Sequence, residues 1–310
     1  MQVFTFAIKS TVAFIIYSTL TLSIAHAAKV TPTDVFIEAK ALKNALAATV
    51  NQEIGPSLLP LIDLDLAGAK PHHVYALSAA LNEKLGIYMA NKKISGFIPS
   101  PIPNQKITPA NVKTLLLIAQ KNFANIVPDA GLIYEPAKDK KPADVMKEVT
   151  YANLWIDFLL QGHVKPAYPY LALQHIQYEL KRLNQHLGLP SKMGNPAAYP
   201  KASPGDVFKN AENFYHILAL YDHMTHQSVN PKHPYDISSS KIQIRPIHVY
   251  SLSIFNLFYL YSVEKRLGLD PDQHFNDQLA TDIKPADVFK KYDQLISLLT
   301  NITSNAGTIR

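Results

Sequence analysis

Three histidines, His216, His223 and His226, stand seven and three residues apart in the stretch that begins at Pro204. At helical periodicity all three project from one face. Imidazole is the commonest transition-metal ligand, and two imidazoles one helical turn apart can hold one ion. His216 would lie about 10 Å from His223 along a helix, so it would need a second ion or a ligand from another element. Asp222 and His233 are close in sequence. The competing assignment is structural. His223 and His226 fall in a last helical turn, where the dipole favours a protonated imidazole.

His73 and His248 occupy matching positions in two copies of a repeated element. Facing one pocket across a pseudo-twofold, they would form a ligand-binding pair. Bonding within their own helix turns, they would be structural. Aromatic residues crowd the same stretch as His248, with Tyr250, Phe255, Phe258, Tyr259 and Tyr261, and Phe214, Tyr215 and Tyr221 crowd another. An aromatic groove there, with Tyr250 and Tyr259 among its walls, would suit a peptide, sugar or lipid. The same residues also serve as the core of central helices. The acids Glu148, Asp157, Glu179, Glu212 and Glu264 show no spacing that pairs them for glycoside hydrolysis. The nucleophile elbow, the phosphate-binding glycine loop and His-Glu-x-x-His are all absent. No catalytic residue can be assigned from the sequence.

The elements that must position these residues come from an internal repeat, Pro-x-[Asp/His/Asn]-Val. It begins at Pro32, Pro71, Pro109, Pro142, Pro204, Pro246 and Pro285. Seven of the 22 prolines therefore carry Val three residues on, against about one by chance at average valine usage. A degenerate eighth copy reads Pro169-Tyr170-Leu171-Ala172. Proline suits the first helical position because its missing N–H costs nothing there. Thr31, Thr108 and Ser203 are good N-caps, and Asp at the third helical position completes a capping box. Val opens the apolar stripe. The pattern predicts an all-α fold of eight helices, at about 32–52, 71–91, 109–126, 142–161, 169–187, 204–227, 246–267 and 285–302. Leu85-Gly86-Ile87, Leu187-Gly188-Leu189 and Leu267-Gly268-Leu269 read as helix ends, with Gly as the left-handed cap.

Long linkers rich in Pro, Asn, Ser and Gly, such as Gly96–Thr108 and Pro190–Ser203, exceed what helix hairpins need. They are expected to pack as ordered extended segments or to form a binding surface. The short Gly162–Pro169 connection predicts an antiparallel hairpin. Leu58–Leu66 and Ile242–Ile244 are candidate extended pieces. The helices are expected to form one helical-repeat domain over residues 28–310, as a bundle or a short solenoid. It divides into two interlocked halves at about 28–165 and 166–310.

Residues 1–27 read as a secretory signal. Lys9 precedes an apolar core from Ser10 to Ile24 that ends in Ala25-His26-Ala27. No later stretch is long and apolar enough to span a membrane, which takes roughly 20 residues. The chain has no cysteine, which excludes disulfides, thiol catalysis and cysteine-ligated metal. Without Lys9 the balance is 29 Lys plus Arg against 24 Asp plus Glu, a net charge of +5. These charges are scattered, so no nucleic-acid surface is expected.

Three functions fit. The first is an exported, non-enzymatic protein of the periplasm or medium that binds an envelope protein or small ligand. The second is a periplasmic metal-binding protein in which His216, His223 and His226 hold a divalent transition metal; otherwise no cofactor is expected. The third is a helical enzyme with a non-local site.

Overall fold

Each repeat proline is preceded by a residue whose backbone N–H needs an acceptor, and the third helical residue supplies it. Thr31 N donates to Asp34 at 2.7 Å, Thr108 N to Asn111 at 2.8 Å and Ser203 N to Asp206 at 2.8 Å. Lys70 N donates to Nδ1 of His73 at 3.0 Å and Arg245 N to Nδ1 of His248 at 3.1 Å. Lys141 and Lys284 do the same to Asp144 and Asp287. The variable position of the motif therefore takes Asp, Asn or His because each offers an acceptor one turn ahead of the proline.

The computed structural model describes residues 29–55, 64–128, 131–160, 162–190, 193–195, 201–231, 243–272 and 279–306. The proposed signal segment lies outside these residues, as do His233, residues 58–63 of one candidate extended piece and Ile242 of the other. Among the described residues the protein is an all-α bundle without strands. Its helices are α1 (Pro32–Glu53), α2 (Pro71–Asn91), α3 (Pro109–Ile126), α4 (Pro142–Leu159), α5 (Ala167–His186), α6 (Pro204–His226), α7 (Pro246–Arg266) and α8 (Pro285–Asn305). No helix among the described residues is long and apolar enough to cross a membrane.

The first four helices pack on one another, α1 and α2 each against α3 and α4, and the last four repeat the arrangement, α5 and α6 each against α7 and α8. Pro32, Pro71, Pro109 and Pro142 meet at one end of the first group with Val35, Val74, Val112 and Val145. All four helices therefore start at the same end and run parallel. The second group closes the same way around Pro204, Pro246 and Pro285. Parallel packing explains the long linkers. A helix of about 20 residues is about 30 Å long, and each linker must travel that distance back before the next helix can start. It also gathers four positive dipole ends at one place, which the carboxylates of Asp34 and Asp144 and of Asp206 and Asp287 offset.

Three expectations need correction. The eighth repeat copy starts at Pro166, with Pro169 in the place of Val. Both prolines line the end of the second group, and α5 begins at Ala167. The motif is displaced because Pro166-Ala167-Tyr168-Pro169 keeps the proline and the apolar residue three apart. The short segment before Pro166 makes no helical hairpin. It passes the chain from one group to the other, and α4 and α5 do not touch. Gly86 is not a cap either. Helix α2 continues through it to Asn91, and Lys93 takes the left-handed conformation at φ 57°. A Cβ on Gly86 would stand 2.7 Å from the ring of Phe97, so glycine here admits the returning linker. Gly188 and Gly268, at φ 67° and 80°, do cap α5 and α7, with Leu189 N and Leu269 N bonding back to Asn184 O and Glu264 O.

The two groups meet through α2 and α7, which cross as an antiparallel pair. They are buried all round, with 16 of 21 residues buried in α2 and 18 of 21 in α7. A helix buried on every side must satisfy its polar residues internally. That requirement shapes the sites below.

Candidate functional site

Helices α2 and α7 each carry a histidine at their third position and a polar residue eleven positions on: His73 and Lys84 in α2, His248 and Tyr259 in α7. Antiparallel crossing brings His73 to Tyr259 and His248 towards Lys84. Two polar clusters result, one at each end of the pair.

In the first, Nε2 of His73 lies 2.9 Å from Oδ1 of Asn230. The Tyr259 hydroxyl is 2.9 Å from that same oxygen and 2.9 Å from Oδ2 of Asp222. Its one proton serves one acceptor, and the carboxylate is the stronger. Asp222 is fully buried and also receives Arg266 at 2.5 Å and Nδ1 of His226 at 3.2 Å. The His72 ring stacks on Tyr259, centroids 5.7 Å apart and 3° from parallel. In the second cluster, Nζ of the fully buried Lys84 lies 2.7 Å from Oδ1 of Asp157 and donates to Asn153 O at 3.2 Å. Nε2 of His248 stands 3.7 Å from the other oxygen of Asp157.

Both histidines are neutral. An Nδ1 that accepts a backbone N–H carries no proton, so the ring proton sits on Nε2. Burial holds His73 at a pKa of about 3 and His248 at about 4. With the Nδ1 lone pair committed and the ring proton on Nε2, neither offers a lone pair to a metal or a substrate proton. His73 and His248 lie in separate clusters and do not face one pocket.

The three histidines of α6 are not brought to a common centre. His216 lies against the ring of Tyr215, Nδ1 of His223 donates to Ser228 O at 2.9 Å, and Nδ1 of His226 meets Asp222 and Thr225. Among the described residues no group of three or more His, Cys, Asp or Glu side chains is placed to hold a metal ion.

The open feature between the two groups is a groove of about 650 Å3, walled by the second half of α2, the start of α5, the middle of α7 and the linker at 97–102. Ile87, Phe97, Leu171, Ile254, Leu257 and Phe258 give it an apolar body. Tyr168, Tyr250, Tyr261, Glu83, His175 and Asp272 supply polar atoms. Of the tyrosines singled out in the sequence, Tyr250 lines the groove and Tyr259 belongs to the first polar cluster.

The linker wall is fixed in place. Ile98 N donates to Oδ1 of Asn122 at 2.9 Å, and Ile98 O accepts from Asn82 and Asn122 at 3.0 and 2.8 Å. Ser100 N donates to Glu83 at 2.9 Å and the Tyr75 hydroxyl to Pro101 O at 2.6 Å. The expectation of an ordered extended segment holds here, and the segment also forms one wall of the groove.

At the far side, Asp272 N donates to Oε1 of Glu179 at 3.0 Å, and Asp272 accepts from the Tyr178 hydroxyl. Glu179 pairs with Arg182 and lies beside the fully buried Glu264. Burial and the neighbouring Glu179 carboxyl push Glu264 well above the ordinary carboxylate range.

Sequence reasoning missed Lys84, Asn230, Glu83, His175, Phe97 and Asp272. For Lys84 the usable signal was a lysine inside a helix whose every other face is apolar. The linker residues gave none, because each is recruited by partners far away in the chain. The chain matches no family model, no curated protein and no solved structure.

Proposed function

We propose that this chain is an exported binding protein that holds a small molecule with an apolar body in the groove between its two helical groups. The observation that carries the reading is the groove itself. Its volume of about 650 Å3 falls within the range of small-molecule sites, and its walls combine aromatic and aliphatic surface with a few convergent polar groups. Its walls are also pre-formed, since the strap at 97–102 is pinned by bonds to α2 and α3. A pre-formed wall lowers the ordering cost of binding.

The test is a fluorescence titration of the mature chain with Nile red, a neutral apolar dye. Leu171 is a half-buried groove residue, so Leu171→Trp fills the groove from its edge with little demand on the core. Saturable binding of one dye per chain, lost in Leu171→Trp at unchanged helicity, supports the reading. Unsaturable binding, or binding that Leu171→Trp leaves intact, removes it.

A further inference from the structure

We infer that Glu179 and Glu264 share one proton that holds the far end of the groove in its binding form, so that the chain keeps its ligand while the pair is protonated and releases it when the pair ionises. The inference rests on the groove being the binding site proposed above. Its geometry begins one helical turn past the lining residues. On α5, Glu179 follows the lining residue His175 by four positions, and on α7, Glu264 follows the lining residue Tyr261 by three. At those spacings each glutamate stands next to the lining residue of its own helix. Helices α5 and α7 pack on one another, and the two carboxyl groups meet between them, 1% and 0% exposed.

The two groups are partnered unequally. Glu179 accepts from Asp272 N at 3.0 Å and from Arg182 at 2.5 Å, donors that favour a carboxylate. Among the described residues no donor reaches either oxygen of Glu264. Its polar neighbour is Glu179, another acceptor. A proton on Glu264, donated to Glu179, satisfies both groups. Without that proton two buried carboxylates would share one guanidinium. The charges that act on Glu264 are those of Glu179 and Arg182. Nearby, Lys265 pairs with Asp270, whose carbonyl accepts from Arg182. From α2 and α6, His72 and Asp222 meet Arg266, His226 meets Asp222 and His73 meets Asn230.

The pair bears on the groove through both helices and through Asp272, a lining residue whose N–H is held by Glu179. Ionised Glu264 repels Glu179, which parts α5 from α7 at this end and takes the acceptor from Asp272 N. The wall is then no longer pre-formed, and affinity falls. Proton and ligand therefore favour the same form, and each strengthens the binding of the other. Affinity is full at low pH and is lost as pH rises through the raised titration of the pair.

The experiment is a Nile red titration of the mature chain at a series of values from pH 6 to pH 9. The dye should bind at least about tenfold more weakly at pH 9 than at pH 6, with helicity unchanged. In Glu264→Gln the amide donates to Glu179 at every pH, so affinity should stay at its pH 6 level throughout. A second reading needs no substitution. The dye-free parent should show the infrared carbonyl band of a protonated carboxyl at pH 7, where ordinary carboxyl groups are ionised. Its loss should set in at the pH where dye affinity begins to fall. Constant affinity in the parent overturns the inference, as does an equal fall in Glu264→Gln or the absence of the band at pH 7; in each case the groove remains a binding site. Failure of Nile red to bind the parent at any pH overturns the proposed function, and the proton control falls with it.

Discussion

Lys84 and Asp157 form an ion pair of 2.7 Å whose side chains are 0% and 7% exposed. It sits where α2, α4 and α7 come together, beside His248. Breaking a buried pair by removing one partner leaves the other charge uncompensated.

Lys84→Met should therefore destabilise the protein by about 3–5 kcal/mol. The double variant Lys84→Met, Asp157→Leu should recover most of that loss, because an apolar pair of similar volume carries no stranded charge. Urea denaturation of the three proteins measures it. A single variant as stable as the parent would show that the pair does not hold α2 to α4.

The neutral histidines make stability depend on acid. His248 has a folded pKa of about 4 against 6.5 for the free side chain. Below about pH 6.5 the unfolded chain takes up a proton that the folded chain refuses. Stability is lost as pH falls from there towards 4, by about 3 kcal/mol for this residue. Asn serves as the acceptor at the same position of α3, where Asn111 takes the Thr108 N–H. His248→Asn should thus fold and lose less stability than the parent between pH 7 and pH 4. Parallel pH curves for the two proteins would contradict the neutral assignment.

Glu264 works in the opposite sense. Its folded pKa is raised, so its contribution is complete below the unfolded value and is lost as pH rises through the folded one. Glu264→Gln removes the ionisation and keeps a donor for Glu179. Thermal unfolding should show the variant more stable than the parent at pH 8, by about 1–2 kcal/mol, and nearly equal at pH 5. A variant less stable at pH 8 would mean that the carboxylate form is the one the site prefers.

Gly86 separates local from tertiary preference. In a mid-helix position alanine is favoured over glycine by about 0.5–1 kcal/mol. Here the added Cβ would press on Phe97 at 2.7 Å, and overpacking costs about 1–3 kcal/mol. Gly86→Ala should destabilise the protein and weaken Nile red binding by shifting the strap. On a Phe97→Ala background the same substitution should become stabilising. A double-mutant cycle by denaturation measures this, and no sign change would deny the contact.

How far the sequence could be read follows the range of the interactions. The bounds of α2, α3 and the start of α7 were legible because Pro, the N-cap and the acceptor at the third position act within four residues. Helix α7 was also legible as a buried helix, since its apolar residues run round every face. Parallel packing was not, although the linker lengths carried the information once the helices were placed. The glycine of Leu85-Gly86-Ile87 resembled the other two helix ends in sequence. What distinguishes it is the ring of Phe97, which arrives only after the chain has turned back. The groove was illegible for the same reason. Glu83, Leu171, Tyr250 and Asp272 come from separate segments, and only the α2–α7 crossing brings them together.

The central claim, that a small molecule sits between the two helical groups, is tested most directly by locating bound dye. The chain has no cysteine, so a single introduced cysteine takes a nitroxide quencher at one defined place. Ala90 is exposed on the groove wall, and Ala48 is exposed on α1, which contributes no lining residue. Bound Nile red should be strongly quenched by a nitroxide on Ala90→Cys and little affected by one on Ala48→Cys. Equal quenching from both positions, or quenching from Ala48→Cys alone, would place the ligand elsewhere and contradict the account.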